Sequence, residues 1–339
     1  MAVRGALPEG EVKMRVCSYL EVRGLVDQSG IGVAQRNTLR VLARAGIDVT
    51  DDPRERYDLL HLQFIGPRAW IYAGRAQRRG IPVVLTLHAS PELIRGSFTC
   101  ATIVAPAYEA CLRRFVRRVD LLLAPSPLVA EMIRPILGGR PVRVASGAVD
   151  VERFRFREKA RAAFREEFEL QRPTVLAVGQ LIPRKGVATF FEAARALPEV
   201  QFLWAGPRPS RLIFYSPRFD RLLRSRPENV RLTGFLPGIE HAYSGCDASF
   251  HPAHAETLGL VLLEASAAGL PIVARRLPVY GGWFEEGEDG LLGDVDEEFA
   301  QHLRRALAAR GPRAVGSLAQ RYDFPRAAEL LLASYREVL

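Results

Sequence analysis

Short apolar runs alternate with longer amphipathic stretches along the whole chain. The β-rich runs in the first part are 14–19, 59–64, 82–87, 121–125 and 142–145. Helical patterns fall between them, near 33–45, 69–79, 105–118 and 128–136. Strands that alternate with helices favour right-handed crossovers and a parallel sheet. The first part of the chain therefore predicts a doubly wound α/β unit.

The same pattern restarts after a charge-rich stretch, 147–171, that contains no apolar run typical of a strand. The second set of predicted strands is 174–178, 200–205, 230–233, 248–251 and 271–274, and the helices are 187–196, 217–224, 260–268, 296–309 and 325–338. We therefore predict two Rossmann-like domains, 1–150 and 151–320, and a C-terminal helix, 321–339, that could pack back on the first domain. Ligands of such sheets bind at the carboxyl ends of the strands, so the expected site is the cleft between the domains.

Length and composition limit the class of protein. Hydrophobic residues make up 48% and charged residues 25% of the 339, which is ordinary for a globular protein and excludes a disordered chain or a coiled-coil rod. No uncharged run approaches the roughly 20 apolar residues of a membrane-spanning helix, and no signal-peptide pattern opens the chain. We therefore expect a cytoplasmic protein. The four cysteines have no close-set pairs, so neither a disulfide framework nor a zinc site is predicted.

Positive charge is concentrated in the first part of the chain. Residues 1–150 contain 21 Lys and Arg against 14 Asp and Glu, whereas 151–339 contain 26 against 24. A basic domain indicates an anionic partner: nucleic acid, an anionic membrane surface or a phosphorylated substrate. On the helix that includes 112–119, helical spacing predicts one face of Arg113, Arg114, Arg117 and Arg118 and an opposite face of Tyr108, Leu112, Phe115, Val116 and Val119. Such a helix either lies in a membrane interface or packs its apolar side on the sheet.

Two loops that follow predicted strands could bind phosphate groups. Gly30 and Gly32 come just before a predicted helix, where a ligand can approach the backbone closely. Arg184 and Lys185 lie in the loop 179–186, and adjacent cations at a helix start suit a diphosphate. A tight turn and a solvated charged turn are the ordinary structural alternatives.

A third segment carries two carboxylates eight positions apart. Glu256 is predicted in the loop after a strand and Glu264 about two turns into the next helix, whose N-terminus is at Gly259. Backbone amides at a helix start can bind phosphate, and glutamates accept hydrogen bonds from pairs of sugar hydroxyls. By itself the segment could also be an ordinary helix start.

Together these segments resemble the retaining glycosyltransferases of family 4, which have the two-domain GT-B fold. The most specific match is the E-x(7)-E signature from Glu256 to Glu264, and the next is the G-x(5)-K-G loop that ends at Gly186. Val149-Asp150 and Phe154 match the hinge motif of the family. The resemblance covers nearly the whole chain. It implies an N-terminal domain that binds the acceptor and a C-terminal domain that binds the nucleotide sugar.

The resemblance also implies a role for each matching residue. Arg184 and Lys185 would neutralise the donor diphosphate, Glu264 would accept from the ribose hydroxyls, and Glu256 would hold hydroxyls of the transferred sugar. His88, at the end of a strand, matches the histidine of the family beside the reacting centre, so the implied catalytic residues are His88, Lys185 and Glu256. The remaining donor-binding positions are Gly30, Gly32, Gln180, Gly234, Phe235, Leu236, Thr257, Leu258 and Gly259.

The chain departs from the family pattern at three places. Gln180 stands where arginine is usual, Ser146 replaces an asparagine, and the glycine loop reads G-I-G rather than two adjacent glycines. These changes affect the donor geometry more than the reaction class. The family implies retention by front-face attack, with the leaving phosphate as base and no tightly bound cofactor. Asp294 and Asp296 have D-x-D spacing, but their acidic run is typical of a solvated loop, so no metal is predicted.

Within the family, the loop 88–98 and the short chain resemble the bacterial glycosyl-diacylglycerol synthases. That branch implies transfer of glucose or galactose, most often from UDP-glucose or UDP-galactose, to diacylglycerol or monoglycosyldiacylglycerol. The residues expected to meet the acceptor or an anionic membrane, such as the inner face of the plasma membrane, are Arg95, Arg113, Arg114, Arg117 and Arg118. A soluble or polyprenyl-linked acceptor of polysaccharide assembly is the alternative.

Other classes of protein remain open from the residues alone. A non-catalytic nucleotide-binding scaffold and a nucleotide-sugar epimerase would both use this fold. A nucleic-acid binder would account for the net charge of +9, but aromatic and basic residues are not interleaved as in a single-strand groove. No specific nucleic-acid partner is therefore expected.

Overall fold

The computed structural model describes residues 14–21, 24, 27, 29–88, 101–145, 147–210, 214–309 and 313–339, with the backbone alone at 101–105. Two six-stranded sheets organise this part of the chain, and every strand pair in them is parallel. This arrangement confirms the predicted α/β class with two doubly wound sheets. The predicted domain boundaries themselves stay a prediction.

The N-terminal sheet has the order β2-β1-β3-β4-β5-β6. Its strands are β1 (Arg15–Tyr19), β2 (Asp48–Thr50), β3 (Leu59–Leu62), β4 (Val83–Thr86), β5 (Leu121–Ala124) and β6 (Val142–Val144). The helices described between them are α1 (Gly30–Arg44), α2 (Pro67–Arg78), α3 (Ala101–Val116) and α4 (Pro127–Ile133). The three central strands β3, β4 and β5 are buried along their whole length, which explains their continuous apolar sequences.

The C-terminal sheet has the order β12-β11-β10-β7-β8-β9. Its strands are β7 (Thr174–Val178), β8 (Gln201–Ala205), β9 (Val230–Gly234), β10 (Ala248–His251), β11 (Ile272–Arg275) and β12 (Leu291–Gly293). The helices in this half of the chain are α5 (Val151–Phe154), α6 (Glu158–Glu167), α7 (Val187–Ala196), α8 (Pro217–Arg224), α9 (Ile239–Gly245), α10 (Leu260–Ala267), α11 (Glu298–Ala308), α12 (Ser317–Arg321) and α13 (Phe324–Arg336). This is the strand order of dinucleotide-binding sheets, and its direction of winding reverses between β7 and β10. Loops that leave those two strands therefore meet.

Segments that follow the carboxyl ends of strands in both sheets contact one another. Gly147, after β6, leaves no room for a Cβ because Leu258 and Leu260, after β10, lie against it. Helix α4, after β5, likewise packs against the short 3-10 turn Pro278–Tyr280, after β11. The segments at the carboxyl ends of the two sheets therefore contact each other.

The C-terminal helix α13 lies on the N-terminal sheet. Leu331 and Tyr335 are buried in the same cluster as Val16 of β1 and Leu42 of α1. A parallel bridge between Val149 and Asp323 begins this return of the chain. The last helix thus connects the C-terminal half to the N-terminal core.

Several short or polar elements give too weak a pattern to be predicted from the sequence. Strands β2 and β12 have three residues each and lie at sheet edges, so they provide almost no apolar signal. The charge-rich junction contains helices α5 and α6, and α6 buries only Phe164 among its ten residues. Helix α1 begins at Gly30, so Gly30 and Gly32 lie within its first turn rather than before it.

Candidate active site

The reversal of winding in the C-terminal sheet brings two predicted loops together. Lys185, in the loop after β7, donates a hydrogen bond through Nζ to Oε1 of Glu256, in the loop after β10. Arg184 lies beside this pair, with Nη1 3.9 Å from Glu256 Oε2 and 2.5 Å from the carbonyl oxygen of Ala255, to which it donates. The structure therefore unites the cation pair with one of the two glutamates.

A tight backbone turn holds the two cations in place. Pro183–Lys185 forms one turn of 3-10 helix, and Gly186 follows it in the left-handed conformation with φ +78°. The backbone amide of His254 donates to the Arg184 carbonyl at 2.8 Å, which joins this turn to the loop after β10. The turn that carries both cations is thus joined by a backbone hydrogen bond to the loop after β10.

We predict that Gly186→Ala dislodges this turn. A Cβ at Gly186 would lie 2.1 Å from the backbone oxygen of Pro252, and the positive φ adds strain, so the free energy of unfolding should fall by about 3 kcal/mol. Gly287 is the matched control, since it has φ +89° but open space around a Cβ, and Gly287→Ala should cost about 1 kcal/mol. Urea unfolding of both variants measures the difference, and equal losses would contradict the prediction.

Glu256 is the electrostatic centre of the cluster. Its side chain is 9% exposed, and His251 Nε2, at the end of β10, lies 3.0 Å from Oε1, close but poorly aligned for a regular hydrogen bond. Burial alone would raise the pKa of Glu256, but the adjacent Lys185, His251 and Arg184 outweigh burial and hold this pKa well below its usual range. Burial also lowers the pKa of His251, so that imidazole is neutral at physiological pH. Glu256 is thus a permanently ionised acceptor.

The start of helix α10 adds uncapped backbone amides beside this cluster. Gly259 is the N-cap residue with φ +96°, and no side chain caps the amides of the first turn. In the described part of the chain, the buried Nε of Arg184 also lacks a hydrogen-bond acceptor. Free amides at a helix start and an unsatisfied guanidinium donor are the groups that bind a diphosphate. Thr257 and Leu258 connect Glu256 to this helix start.

Glu264 lies in a different environment from Glu256. It is 8% exposed on α10, and its Oε2 accepts a hydrogen bond from the Tyr243 hydroxyl at 2.8 Å. Burial raises the pKa of Glu264 to about 7, against the opposite effects of the Tyr243 hydrogen bond and the charge of Arg153. The two glutamates of the signature therefore differ in charge state: one is always ionised, and the other titrates near neutral pH.

The remaining donor-site positions lie at the carboxyl ends of β7 and β9. Gln180 follows β7 and is partly exposed. Gly234 ends β9 with φ +72°, and the next residue, Phe235, exposes 48% of its surface, while Leu236 packs against the main C-terminal core. An exposed aromatic ring at a strand end offers a face for a planar base.

His88 lies just beyond the end of β4 in the N-terminal sheet. Its Nε2 is 2.8 Å from Oε1 of Gln63, which follows β3. Burial lowers the pKa of His88 to about 4, so the ring is neutral at physiological pH. Gly30 and Gly32, at the start of α1, lie at the same edge of the sheet because α1 follows β1.

The basic helix packs its apolar side down, but its arginines do not form one uniform face. Leu112, Phe115, Val116 and Val119 are buried and Tyr108 packs against them, as predicted. Helix α3 ends at Val116, so Arg117 and Arg118 lie beyond it. Arg118 instead stacks on Trp70, 3.7 Å from the ring centroid, and donates to its carbonyl oxygen. Of the four arginines expected on one face, Arg118 is therefore the one that is partly buried.

The other arginines of this group remain at the surface. Arg113 forms an ion pair with Glu109 at 2.7 Å, and Arg114 lies 5.5 Å from the Trp70 ring centroid. Arg113, Arg114 and Arg117 are exposed. Arg95 and Ser146 lie outside the described residues, as does most of the loop 88–98.

The D-x-D carboxylates are both engaged with arginines. Asp296 contacts Arg275 and accepts from Thr189, and Asp294 accepts from Arg276 Nε at 3.0 Å. In the regions that the structure describes, no group of three His, Cys, Asp or Glu side chains is placed to hold a metal ion.

Three residues of the site were missed in the sequence: His251, Tyr243 and Gln63. His251 and Gln63 both stand at the carboxyl ends of strands, a position that could have signalled them. Tyr243 lies on α9, far from any motif, and no sequence signal indicates its bond to Glu264.

Two family models match the chain in succession. The model described as Glycosyltransferase Family 4 matches residues 51–153, and the model described as Glycosyl transferases group 1 matches residues 158–319. A processive diacylglycerol alpha-glucosyltransferase of Acholeplasma laidlawii is 30% identical over 299 residues, which cover 87% of this chain and 88% of that protein. A sulfoquinovosyl transferase of Arabidopsis thaliana is 28% identical, with 81% of this chain and 54% of that protein covered.

Solved structures show a similar fold. The Anabaena HepE protein in complex with UDP-glucose has a TM-score of 0.72 at 17% identity, with 96% of this chain and all of that chain covered. Sucrose-phosphate synthase from Thermosynechococcus elongatus has a TM-score of 0.75 at 18% identity, with 96% and 99% covered. Among the described helices, none is both long enough and apolar enough to cross a bilayer.

Proposed function

The chain belongs to glycosyltransferase family 4 and has the GT-B fold, and we propose that it transfers glucose or galactose from a UDP-sugar to a glycolipid acceptor. The proposed reaction retains the configuration of the anomeric carbon. The observation that carries the donor part is the contact between Lys185 and Glu256, with Arg184 beside it. Cations for a diphosphate and an ionised acceptor for sugar hydroxyls meet there at the start of α10. The acceptor part is supported by the similarity to a diacylglycerol glucosyltransferase.

The charges of the site suit the breaking of a glycosidic phosphate bond. As the bond from the anomeric carbon to the phosphate oxygen breaks, negative charge grows on the diphosphate and positive charge on the sugar ring. The negative charge on the diphosphate would be stabilised by Arg184, Lys185 and the amides near Gly259. The ionised Glu256 would hold the sugar hydroxyls. In the proposed front-face route, the acceptor oxygen bonds to the anomeric carbon and gives its proton to the leaving phosphate. Neutral His88 would contact the substrate at the reacting centre.

We also propose that exposed arginines draw the protein to an anionic membrane surface, such as the inner face of the plasma membrane. Arg113, Arg114 and Arg117 are exposed on and just beyond α3, in the more basic half of the chain. Each basic residue near such a surface contributes about 1 kcal/mol. The same surface would present a lipid acceptor. The alternative, a soluble or polyprenyl-linked acceptor, would require no such attraction.

A transfer assay with matched vesicles tests the proposal. UDP-glucose, UDP-galactose and GDP-mannose are each offered with diacylglycerol or monoglucosyldiacylglycerol, in vesicles that contain either anionic or zwitterionic lipid, and with a soluble oligosaccharide. We expect a UDP-hexose to label the lipid product, faster on anionic vesicles, and proton NMR of the new linkage to show the α configuration of the donor. Transfer only to a soluble oligosaccharide would show that the acceptor is not a lipid. Interconversion of UDP-sugars without any acceptor would indicate an epimerase.

A further inference from the structure

A buried polar network supports His88 from the interior of the N-terminal sheet. Gln63 is 1% exposed, and its Oε1 lies 2.8 Å from Nε2 of His88. The amide nitrogen of Gln63 points the other way and donates to Oγ of Ser18, on β1, at 3.2 Å. One side chain therefore connects the end of β4 to strand β1.

The far side of this network is anchored by His61 of β3. Its Nε2 lies 2.7 Å from Oγ1 of Thr86 on β4, and its Nδ1 lies 2.7 Å from the hydroxyl of Tyr335 on α13. The Gln63 amide nitrogen lies 3.3 Å from His61 Nε2. The His61 ring is therefore held from two elements, and Gln63 lies between it and His88.

The donors and acceptors around Gln63 determine how its amide is oriented. The amide nitrogen donates to Ser18 and lies over the face of the His61 ring, 3.4 Å from Nδ1 and 3.3 Å from Nε2, whereas the oxygen faces His88. The reverse orientation would turn the lone pairs of the amide oxygen against this ring face, where an N–H group is favoured, and would leave one amide proton unused beside His88. Buried polar groups strongly favour the arrangement that uses their hydrogen-bonding capacity.

This orientation fixes the tautomer of His88. An amide oxygen only accepts, so the His88 Nε2 must carry the proton and donate. Because burial lowers the pKa of His88 to about 4, the ring is neutral, and Nδ1 retains its lone pair. In the described part of the chain, Nδ1 has no hydrogen-bond partner. A neutral imidazole of fixed tautomer is thereby left with an acceptor for a hydroxyl group of the substrate.

We propose that Gln63 is a positioning residue for sugar transfer, one that fixes the orientation and tautomer of His88 so that Nδ1 accepts a hydrogen bond from the bound substrate. This inference rests on the proposed function, in which His88 contacts the substrate. The titratable groups that face the network from the packed elements are His61 and Tyr335, and no described carboxylate or cation acts on His88. Burial is therefore the cause of the low pKa of His88.

Two variants of Gln63 separate positioning from folding. Gln63→Leu removes the acceptor and should lower kcat about 10- to 100-fold with the KM for the UDP-sugar changed less than threefold. Gln63→Glu keeps the acceptor and adds a charge, which favours the imidazolium and raises the pKa of His88 by about 1 to 3 units. Its activity should fall as the pH drops through this raised pKa, at a higher pH than in wild type, and recover as the pH rises to 8.5, because the neutral ring returns.

Gln35→Leu is the matched control. Gln35 is buried on α1 and donates to the Ser18 carbonyl oxygen at 3.1 Å, but it does not contact His88. Its loss should lower the melting temperature as much as Gln63→Leu does while kcat stays within threefold of wild type. A Gln63→Leu enzyme with kcat within twofold of wild type would overturn the proposal, as would a folded Gln63→Glu enzyme that is inactive at every pH.

A measurement without substrate distinguishes failure of this inference from failure of the proposed function. The nitrogen-15 shifts of the ring report the tautomer and pKa of each of the six histidines, and the spectrum of His88→Ala assigns the signal of His88. We expect a proton on Nε2 in wild type, a mixture of tautomers in Gln63→Leu and a raised pKa in Gln63→Glu. A proton on Nδ1 in wild type would overturn the inference, whereas the expected spectrum with no sugar transfer would overturn only the proposed function.

Discussion

Glu256→Gln is expected to lower kcat for sugar transfer by about 10²- to 10³-fold, the usual effect of removing one electrostatic contact to a transition state. The substitution retains the shape of the side chain but removes the negative charge that Lys185, Arg184 and His251 surround. A neutral amide would bind sugar hydroxyls more weakly than the carboxylate does. It would also no longer neutralise the charge of the cations, so their attraction for the diphosphate would remain. We therefore expect the KM for the donor to change little. Steady-state kinetics, with the UDP-sugar that labels the lipid in the transfer assay, measure both kcat and KM.

The loss of stability in this variant must be separated from the loss of activity. Lys185 would be left buried without its partner, which costs about 3 to 5 kcal/mol of folding free energy. The double variant Lys185→Met/Glu256→Gln removes both charges, so it should regain much of the stability but none of the activity. Asp247→Asn is the control at the opposite end of β10, because Asp247 is partly buried and paired with Arg161 at 2.7 Å. It should lose stability and keep kcat, and near-normal turnover by Glu256→Gln would contradict the assignment.

The contact between Lys185 and Glu256 could be predicted only in part from the sequence. Both residues were identified as candidates because each follows a strand, and strand ends of a parallel sheet lie at one edge. Their direct contact depends on β7 and β10 being neighbours, although they are separated by two intervening strands in the sequence. The resemblance to the family implied a diphosphate for Lys185 and a sugar for Glu256. In the structure, each of these residues has the other as its partner.

Direct contacts between residues that are far apart in the sequence could not be predicted from it. Tyr243 donates to Glu264 across 21 positions, and Tyr335 contacts His61 across 274. Such contacts depend on strand register and helix packing, and periodicity encodes neither. Arg118 shows the same limit locally. Its side chain was assigned by helical spacing, but the helix ends two residues earlier and the guanidinium stacks on Trp70.

Glu264→Gln is expected to change stability with a characteristic dependence on pH. The pKa of Glu264 is about 7 in the folded protein and about 4.5 ordinarily, so between these values the folded state holds a proton that the unfolded state has lost. The stability from this group is complete below pH 4.5 and is lost as the pH rises through 7, by about 3 kcal/mol in total. Glutamine never ionises. The variant should therefore match wild type near pH 5 and exceed its free energy of unfolding at pH 8, as measured by urea unfolding.

The same substitution should weaken donor binding where it strengthens the fold. Ribose hydroxyls would donate to the carboxylate of Glu264 and favour its ionised form, so UDP-sugar binding should release a proton near pH 6.5 and tighten as the pH rises to 8. Hydrogen bonds to a charged group contribute about 1.5 to 3 kcal/mol, so Glu264→Gln should bind the donor about 10- to 100-fold less tightly at pH 8. Calorimetry in buffers of different ionisation enthalpy counts the protons released. Equal affinity and equal proton release in the variant and the wild type would show that the ribose does not contact Glu264. A variant that is more stable than wild type at pH 8 but binds the donor less tightly would instead place this buried carboxylate in the donor site.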